Sequence, residues 1–245
     1  MGDDKQPAQA TAAKPPEVVA FFTTGDPRQS KGLPASAPKA AKLTNTERFQ
    51  KRADSLASAG RVHGVNDVQA AIDVIKALPA DLKLAKVFLV GHGFDDGYFF
   101  HGKPDPQADF TADSHAETLE DPSKVSDAQI AALHKQFIDE LAKHCTQTDR
   151  FEIGFLSCFA GTKSLISSVC KALNKKGFRN FVVGGYKNDY QTRYIFDSKS
   201  GAILEWRDEV LDRQTQKSLV KMTGNQIPAY EVSCKSDNPI DPLDL

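Results

Sequence analysis

The sequence predicts an α/β fold of three layers, in which a mainly parallel sheet carries helices on its two faces. Two observations lead to this prediction. Short apolar runs alternate along the chain with longer stretches whose apolar residues recur at helical spacing. Three of the runs, 87–90, 151–156 and 181–183, are apolar enough for strands covered on both sides, which are typical of parallel sheets.

The elements of the first half of the chain follow from local signals. Residues 1–16 are polar and rich in Ala and Pro, and we expect a disordered tail there. The apolar run 17–22 predicts the first strand. The sequence TNTE at 44–47 has the form of a capping box and predicts the start of a helix. A second helix is predicted from near Asn66, and Pro79 helps to end it.

The second half continues the alternation. The sequence SDAQ at 126–129 is again a capping box and predicts a helix before the next strand. The helix after that strand is expected to stop at Gly177. Residues 194–204 predict a hairpin, because two apolar runs flank a turn-forming DSKSG segment. No strong pattern follows, so we predict an α/β domain over 17–207 and a C-terminal extension over 208–245.

Composition and motifs argue against several classes of protein. The net charge of −1 gives no general attraction to nucleic acid or to anionic membranes. No apolar run approaches the roughly 20 residues of a membrane span, and the N-terminus lacks the apolar segment of a secretory signal. Phosphate-binding glycine loops and the histidine spacings of metal sites are missing from the sequence. We therefore expect no cofactor, no metal, no nucleic acid and no membrane as partners.

The four cysteines are Cys145, Cys158, Cys170 and Cys234, and they form no CxxC pair. A chain of 245 residues can bury an adequate core without cross-links. Free thiols and a cytoplasmic location are therefore expected. Export as a bacterial effector, by a route without a Sec signal, is compatible with the same sequence.

Two residues with complementary chemistry follow consecutive buried strands of the predicted sheet. His92 comes directly after the apolar run VFLV and Gly91, and Cys158 comes directly after FEIGFL and Ser157. The helix between these strands is expected to make them parallel and adjacent, so that both residues reach one edge of the sheet. A thiol and an imidazole so placed form a nucleophile and its general base. The backbone N–H of Gly93 is a candidate donor to a substrate oxyanion, beside that of Cys158.

The residues after Cys158 predict a lowered pKa for its thiol. A helix is expected to begin there with Thr162 as its cap, and a helix N-terminus stabilises a thiolate. The segment 163–179 also carries five basic residues and no acidic one. We therefore expect Cys158 to titrate with an acidic pKa.

The segments VFLVGHG and FEIGFLSCFAG resemble the caspase-like cysteine peptidase superfamily, which includes caspases, legumains, gingipains, separases, self-cleaving toxin domains and CHAT domains. The resemblance implies a caspase/hemoglobinase-like fold, with His92 and Cys158 as the dyad and Gly93 at the oxyanion position. It also implies a peptide or protein substrate and chemistry without a metal. The caspase signature QACxG is replaced by LSCFA, so the toxin and CHAT branches are closer. Because the toxin branch is activated by inositol phosphates, the basic segment 163–179 is a candidate site for a small anionic activator.

Two alternatives accompany this interpretation. A caspase-like interaction domain without activity would have the same fold, whether or not it serves as an effector. A serine hydrolase would use Ser157, which also follows a buried strand. The nucleophile elbow of such enzymes requires glycine two residues before and after the serine, where this chain has Phe155 and Phe159. The serine hydrolase is therefore not favoured.

Overall fold

A computed structural model gives the fold of the chain. The tail 1–16 and the residues Gly93 and Thr162 lie outside the part of the chain that it describes. The described residues are 17–24, 43–58, 60–92, 127–145, 147, 149–158, 163–197, 199, 203–223 and 226–236.

The described strands form two sheets. The strands are β1 Glu17–Thr23, β2 Val62–Val65, β3 Leu84–Val90, β4 Phe151–Leu156, β5 Phe181–Gly185, β6 Asp189–Phe196, β7 Ile203–Leu211, β8 Ser218–Thr223 and β9 Val232–Lys235. The central sheet has the order β2-β1-β3-β4-β5-β9, and its strands are parallel except for β9, which is antiparallel to β5. A smaller antiparallel sheet has the order β6-β7-β8. The predicted α/β class is therefore confirmed at the level of a mixed, mostly parallel sheet with flanking helices.

Helices connect the strands of the central sheet. They are α1 Asn45–Leu56, α2 Val68–Ala77, α3 Asp127–Leu141 and α4 Lys163–Lys175, with a 3₁₀ turn at Ala142–His144 after α3. The predicted capping box of α1 is confirmed, since the Glu47 N–H donates to the Thr44 hydroxyl at 3.2 Å and the Thr44 N–H donates to the Glu47 carboxylate at 2.6 Å. Gly177 ends α4 with a positive φ of 84°, which glycine adopts without strain.

One face of the central sheet, here called the helical face, packs against α2, α3 and α4. Alternate residues of each strand point to this face, as the period of two requires. The residues between this face and the three helices form an apolar cluster, which contributes to stability through the area that it removes from water. Its largest members include Phe21, Ile72, Ile75, Leu89, Phe137, Leu141, Phe151, Ile153, Phe155, Ile166, Leu173 and Phe181.

The opposite face, here called the α1 face, is covered by α1 and by residues of the smaller sheet and of segment 226–231. Gly154 and Gly184 leave room here for the ring of Tyr230, because a Cβ on either glycine would collide with it. The Tyr230 hydroxyl donates to the Glu152 carboxylate at 2.8 Å. The apolar cluster of this face comprises Ala20, Phe22, Ala53, Phe88, Val90, Leu156, Tyr186, Tyr190 and Val210, with Phe49, Leu56, Ile227 and Tyr230 packed against it.

The C-terminal part of the chain differs from the prediction. Strand β7 crosses position 207, and β9 completes the central sheet, so the predicted boundary at 207/208 does not coincide with a structural one. Cys170 of α4 and Cys234 of β9 form a disulfide, with their Cα atoms 6.5 Å apart. The expectation of four free thiols was therefore wrong, because α4 packs directly on β9, a contact that the sequence pattern did not predict. The argument from free thiols for a cytoplasmic location loses its support.

Candidate active site

The carboxyl ends of β3 and β4 place His92 and Cys158 at the same edge of the central sheet. The two strands are adjacent and parallel, as predicted, and their last registered pair is Val90 with Leu156. The Gly91 N–H still donates to the Leu156 carbonyl, at 3.5 Å. His92 and Cys158 are each two residues beyond that registered pair, so they occupy equivalent positions past neighbouring strands.

Both side chains belong to the α1 face. Val90 and Leu156 lie in the cluster of that face, and residues two positions further along a strand return to the same side. The contacts agree with this alternation, because His92 packs on a residue of α1 and Cys158 bonds to a residue of β6. An imidazole and a thiol therefore share one edge and one face of the sheet.

His92 is held by an aromatic contact. Its ring meets the ring of Phe49 edge to face, with centroids 5.0 Å apart and an interplanar angle of 88°. Position 91 requires glycine for a steric reason, since a Cβ there would collide with the hydroxyl of Thr23 at the end of β1. The glycine therefore lets the ends of β1 and β3 approach while α1 holds the imidazole from above.

Cys158 is a free, half-buried cysteine whose thiol has a defined acceptor. Its Sγ donates to the backbone carbonyl of Tyr190 at 3.2 Å, within the range of a sulfur hydrogen bond. Tyr190 lies near the start of β6, so this bond fixes the thiol against the smaller sheet. The thiol proton is directed at that carbonyl.

The surroundings of Cys158 raise the pKa of its thiol to about 12, mainly through burial and then through the negative charge of Asp189. The predicted acidic pKa was therefore wrong. Lys176 of the basic segment is paired with Asp139 at 2.7 Å, which reduces the positive charge on which the prediction relied. Because the thiol stays protonated at neutral pH, any attack by its sulfur needs a base that accepts the proton.

A buried charged network lies beneath this edge, and the sequence analysis did not identify it. Arg52 of α1 and Asp208 of β7 form an ion pair, with side chains only 1% and 2% exposed. The Tyr190 hydroxyl donates to Asp208 at 2.7 Å, and the Thr192 hydroxyl donates to its other oxygen at 2.8 Å. One signal was available in the sequence: Arg52 interrupts the apolar face of α1, three residues after Phe49.

The rival nucleophiles lie elsewhere. Cys145 belongs to the cluster of the helical face, where burial raises the pKa of its thiol to about 12. Ser157 is buried, and strand alternation sends it toward the face opposite to Cys158. The structure therefore does not bring Cys145 or Ser157 to the side of the sheet where His92 lies.

Within the described ranges, no three side chains of His, Cys, Asp or Glu converge in a way that could hold a metal ion. None of the described helices is long and apolar enough to cross a membrane. Comparisons with protein-family models, with curated protein sequences and with solved structures found no match to this chain.

Proposed function

We propose that this chain is a cysteine peptidase of the caspase-like superfamily, with Cys158 as the nucleophile and His92 as the general base. The observation that carries the proposal is the placement of the two residues, each two positions beyond the Val90–Leu156 pair and on one face of the sheet. The mixed sheet with flanking helices is compatible with the fold that the resemblance implies. The substrate is a peptide or protein, and the chemistry requires no cofactor.

The reaction follows from the protonated state of the thiol. As the sulfur of Cys158 attacks the peptide carbonyl, its proton passes to His92, and an S–C bond forms. The C–N bond then breaks, and His92 returns the proton to the leaving amine. Water hydrolyses the resulting thioester, releases the carboxylic acid and restores the thiol. The N–H groups of Cys158 and Gly93 are the proposed oxyanion donors.

One observation favours a second candidate, an interaction domain without activity. The thiol is bonded to the Tyr190 carbonyl, and its pKa is raised, which is the condition of an unreactive cysteine. In an active enzyme, substrate binding has to turn the thiol proton of Cys158 away from the Tyr190 carbonyl and toward His92. In an idle domain, the thiol keeps its bond to Tyr190 permanently.

Peptide hydrolysis distinguishes the two candidates. The probes are a panel of acetylated peptidyl-aminocoumarins that covers all P1 residues, together with denatured casein. We expect the wild type to cleave at least one of them, and Cys158→Ala and His92→Ala each to lose the activity almost completely, because members of one catalytic unit are not additive. Retained turnover in Cys158→Ala would overturn the assignment, and an inactive wild type would favour the idle domain.

The matched control is Cys145→Ala, which removes the other free thiol from the opposite face of the sheet. It should keep wild-type turnover. Unfolding in urea, measured on all variants, separates lost chemistry from lost folding. We expect Cys158→Ala to lower the unfolding free energy by no more than about 1–2 kcal/mol.

A further inference from the structure

We propose that Tyr190, Asp208 and Arg52 are positioning residues that set the placement of Cys158 relative to His92. The inference rests on the proposed function and deepens it, since it assigns the residues that hold Cys158 and His92 in their relative positions. None of the three needs to touch the substrate.

The network joins the residue that contacts His92, Phe49, to the residue that accepts the thiol of Cys158, Tyr190. Phe49 of α1 contacts the His92 ring, and Arg52 lies one turn further along the same face of α1. Arg52 is paired with Asp208 of β7, which accepts the hydroxyl of Tyr190 in β6. The carbonyl of that same Tyr190 accepts the thiol of Cys158. A continuous path of contacts therefore runs from the imidazole to the sulfur.

The path crosses between elements that belong to different layers. Helix α1 packs on β1, β2 and β3 of the central sheet, whereas Tyr190 and Asp208 belong to the smaller sheet. The ion pair of Arg52 with Asp208 therefore ties α1, which contacts His92 through Phe49, to the smaller sheet. Strand β6 of that sheet carries the carbonyl that accepts the Cys158 thiol. A further bond from Arg52 to the Gln226 carbonyl, at 3.3 Å, ties the same helix to segment 226–231.

The energetic character of the network fits a role in positioning. Burying a charged pair costs desolvation energy, and apolar replacements of similar volume are often as stable or more stable. What an ion pair with fixed hydrogen bonds supplies is geometry, since both oxygens of Asp208 are engaged by hydroxyls of β6. Displacement of a reacting group by about 1 Å can cost about a hundredfold in rate.

The test uses two buried, stacked tyrosines whose hydroxyls have different acceptors. Tyr190 and Tyr186 are both buried, and their rings stack with centroids 4.7 Å apart. The hydroxyl of Tyr190 donates to Asp208, and that of Tyr186 donates to the Pro228 carbonyl at 2.6 Å. Tyr190→Phe and Tyr186→Phe each remove one buried hydroxyl and keep the ring. Thr192→Val, which removes the second donor to Asp208, replaces Tyr190→Phe if that variant does not fold.

Two readouts are measured on each variant. With the peptide found in the hydrolysis panel, Tyr190→Phe should lower kcat by about ten- to a hundredfold with KM changed less than about twofold, and Tyr186→Phe should leave both within about twofold. With iodoacetamide, followed by peptide mass spectrometry, Cys158 should react at least about threefold faster in Tyr190→Phe, because residue 190 is no longer anchored to Asp208 and its carbonyl holds the thiol less firmly. The rate for Cys145 should stay constant in both variants.

The two readouts keep this inference apart from the proposed function. Equal effects of Tyr190→Phe and Tyr186→Phe on kcat, or on the alkylation of Cys158, overturn the positioning role. If the wild type cleaves no peptide, the proposed function fails, and the alkylation rates alone decide whether the network positions Cys158. If hydrolysis depends on Cys158 and His92 but not on Tyr190, the proposed peptidase function is supported and the positioning role is overturned.

Discussion

The two faces of the central sheet are covered by different elements and make different kinds of contact. The helical face is covered by α2, α3 and α4, and an apolar cluster fills the space between these helices and the sheet. The α1 face is covered by one helix and by part of a second sheet, and it encloses an ion pair and three tyrosine hydroxyls. Both residues of the candidate dyad lie on the α1 face. Cys145, the other free cysteine of the described residues, lies in the cluster of the helical face.

The difference lies in what each kind of contact fixes. Apolar burial is non-directional, so the helical face stabilises the fold through close packing and through the area that it removes from water. Hydrogen-bonded charges cost desolvation but fix direction. The α1 face uses them at the edge where Cys158 and His92 emerge. The comparison yields three stability predictions, ordered by the size of the expected effect.

The largest effect is expected for Arg52→Met on the α1 face. It leaves Asp208 buried without its partner, which should lower the unfolding free energy by about 3–5 kcal/mol at neutral pH. Urea unfolding measures the loss. The double variant Arg52→Met/Asp208→Asn removes both charges and should recover a large part of it. A loss in the double variant as great as in the single one would contradict this account of the pair.

The same variant has a predicted pH dependence. Burial raises the pKa of Asp208 above its ordinary value, although Arg52 opposes the shift. Because the folded state then binds the proton more tightly than the unfolded state, stability from this group is full below the unfolded pKa and is lost as pH rises through the folded pKa. Arg52→Met removes the opposing charge and raises the pKa further. The deficit of the variant should therefore grow as the pH rises above the unfolded pKa of an aspartate, about 3.9.

An intermediate effect is expected for the disulfide, which fastens α4 of the helical face to the edge strand β9. The cross-link spans 64 residues, and its removal in Cys170→Ala/Cys234→Ala should cost about 2–4 kcal/mol. Dithiothreitol should destabilise the wild type by a similar amount and leave the double variant unchanged. Alkylation of the unfolded chain without reductant should modify two cysteines, and modification of all four would show that the bond does not form.

The smallest effect is expected for Gly184→Ala on the α1 face. The new Cβ collides with the ring of Tyr230, and such overpacking costs about 1–3 kcal/mol. Adding Tyr230→Ala removes the Cγ and Cδ2 atoms that the new Cβ meets, so the double variant should be more stable than the sum of the single effects predicts. Additive losses in urea unfolding would mean that Tyr230 does not lie against Gly184.

How much of this could be predicted from the sequence depends on how local each signal is. The cap at Thr44, the stop at Gly177 and the buried strand 151–156 involve neighbours in the chain, and all three predictions are confirmed. The adjacency of β3 and β4 follows from one crossover, so the shared edge of His92 and Cys158 was also predictable.

The remaining features depend on partners that are distant in sequence. Strand β9 has four residues and gains its place only by pairing with β5. Arg52 is paired with the carboxylate of Asp208 on β7, which is distant in sequence, and no periodicity of the sequence predicts that contact. The acceptor of the Cys158 thiol is a backbone carbonyl, which every residue carries and no motif marks. The predicted pKa of Cys158 was wrong because it counted only features near the cysteine in sequence and left out burial, the main cause of the raised pKa, and the charge of Asp189.

The central claim is that the α1 face holds the reactive cysteine and that His92 makes it reactive. Its most direct test is labelling by a peptidyl acyloxymethyl ketone whose peptide is taken from the best cleaved substrate, with the modified residue identified by peptide mass spectrometry. We predict a thioether on Cys158 and none on Cys145, and a labelling rate at least about a hundredfold lower in His92→Ala. Equal labelling of Cys145 and Cys158, or an unchanged rate in His92→Ala, would contradict the claim.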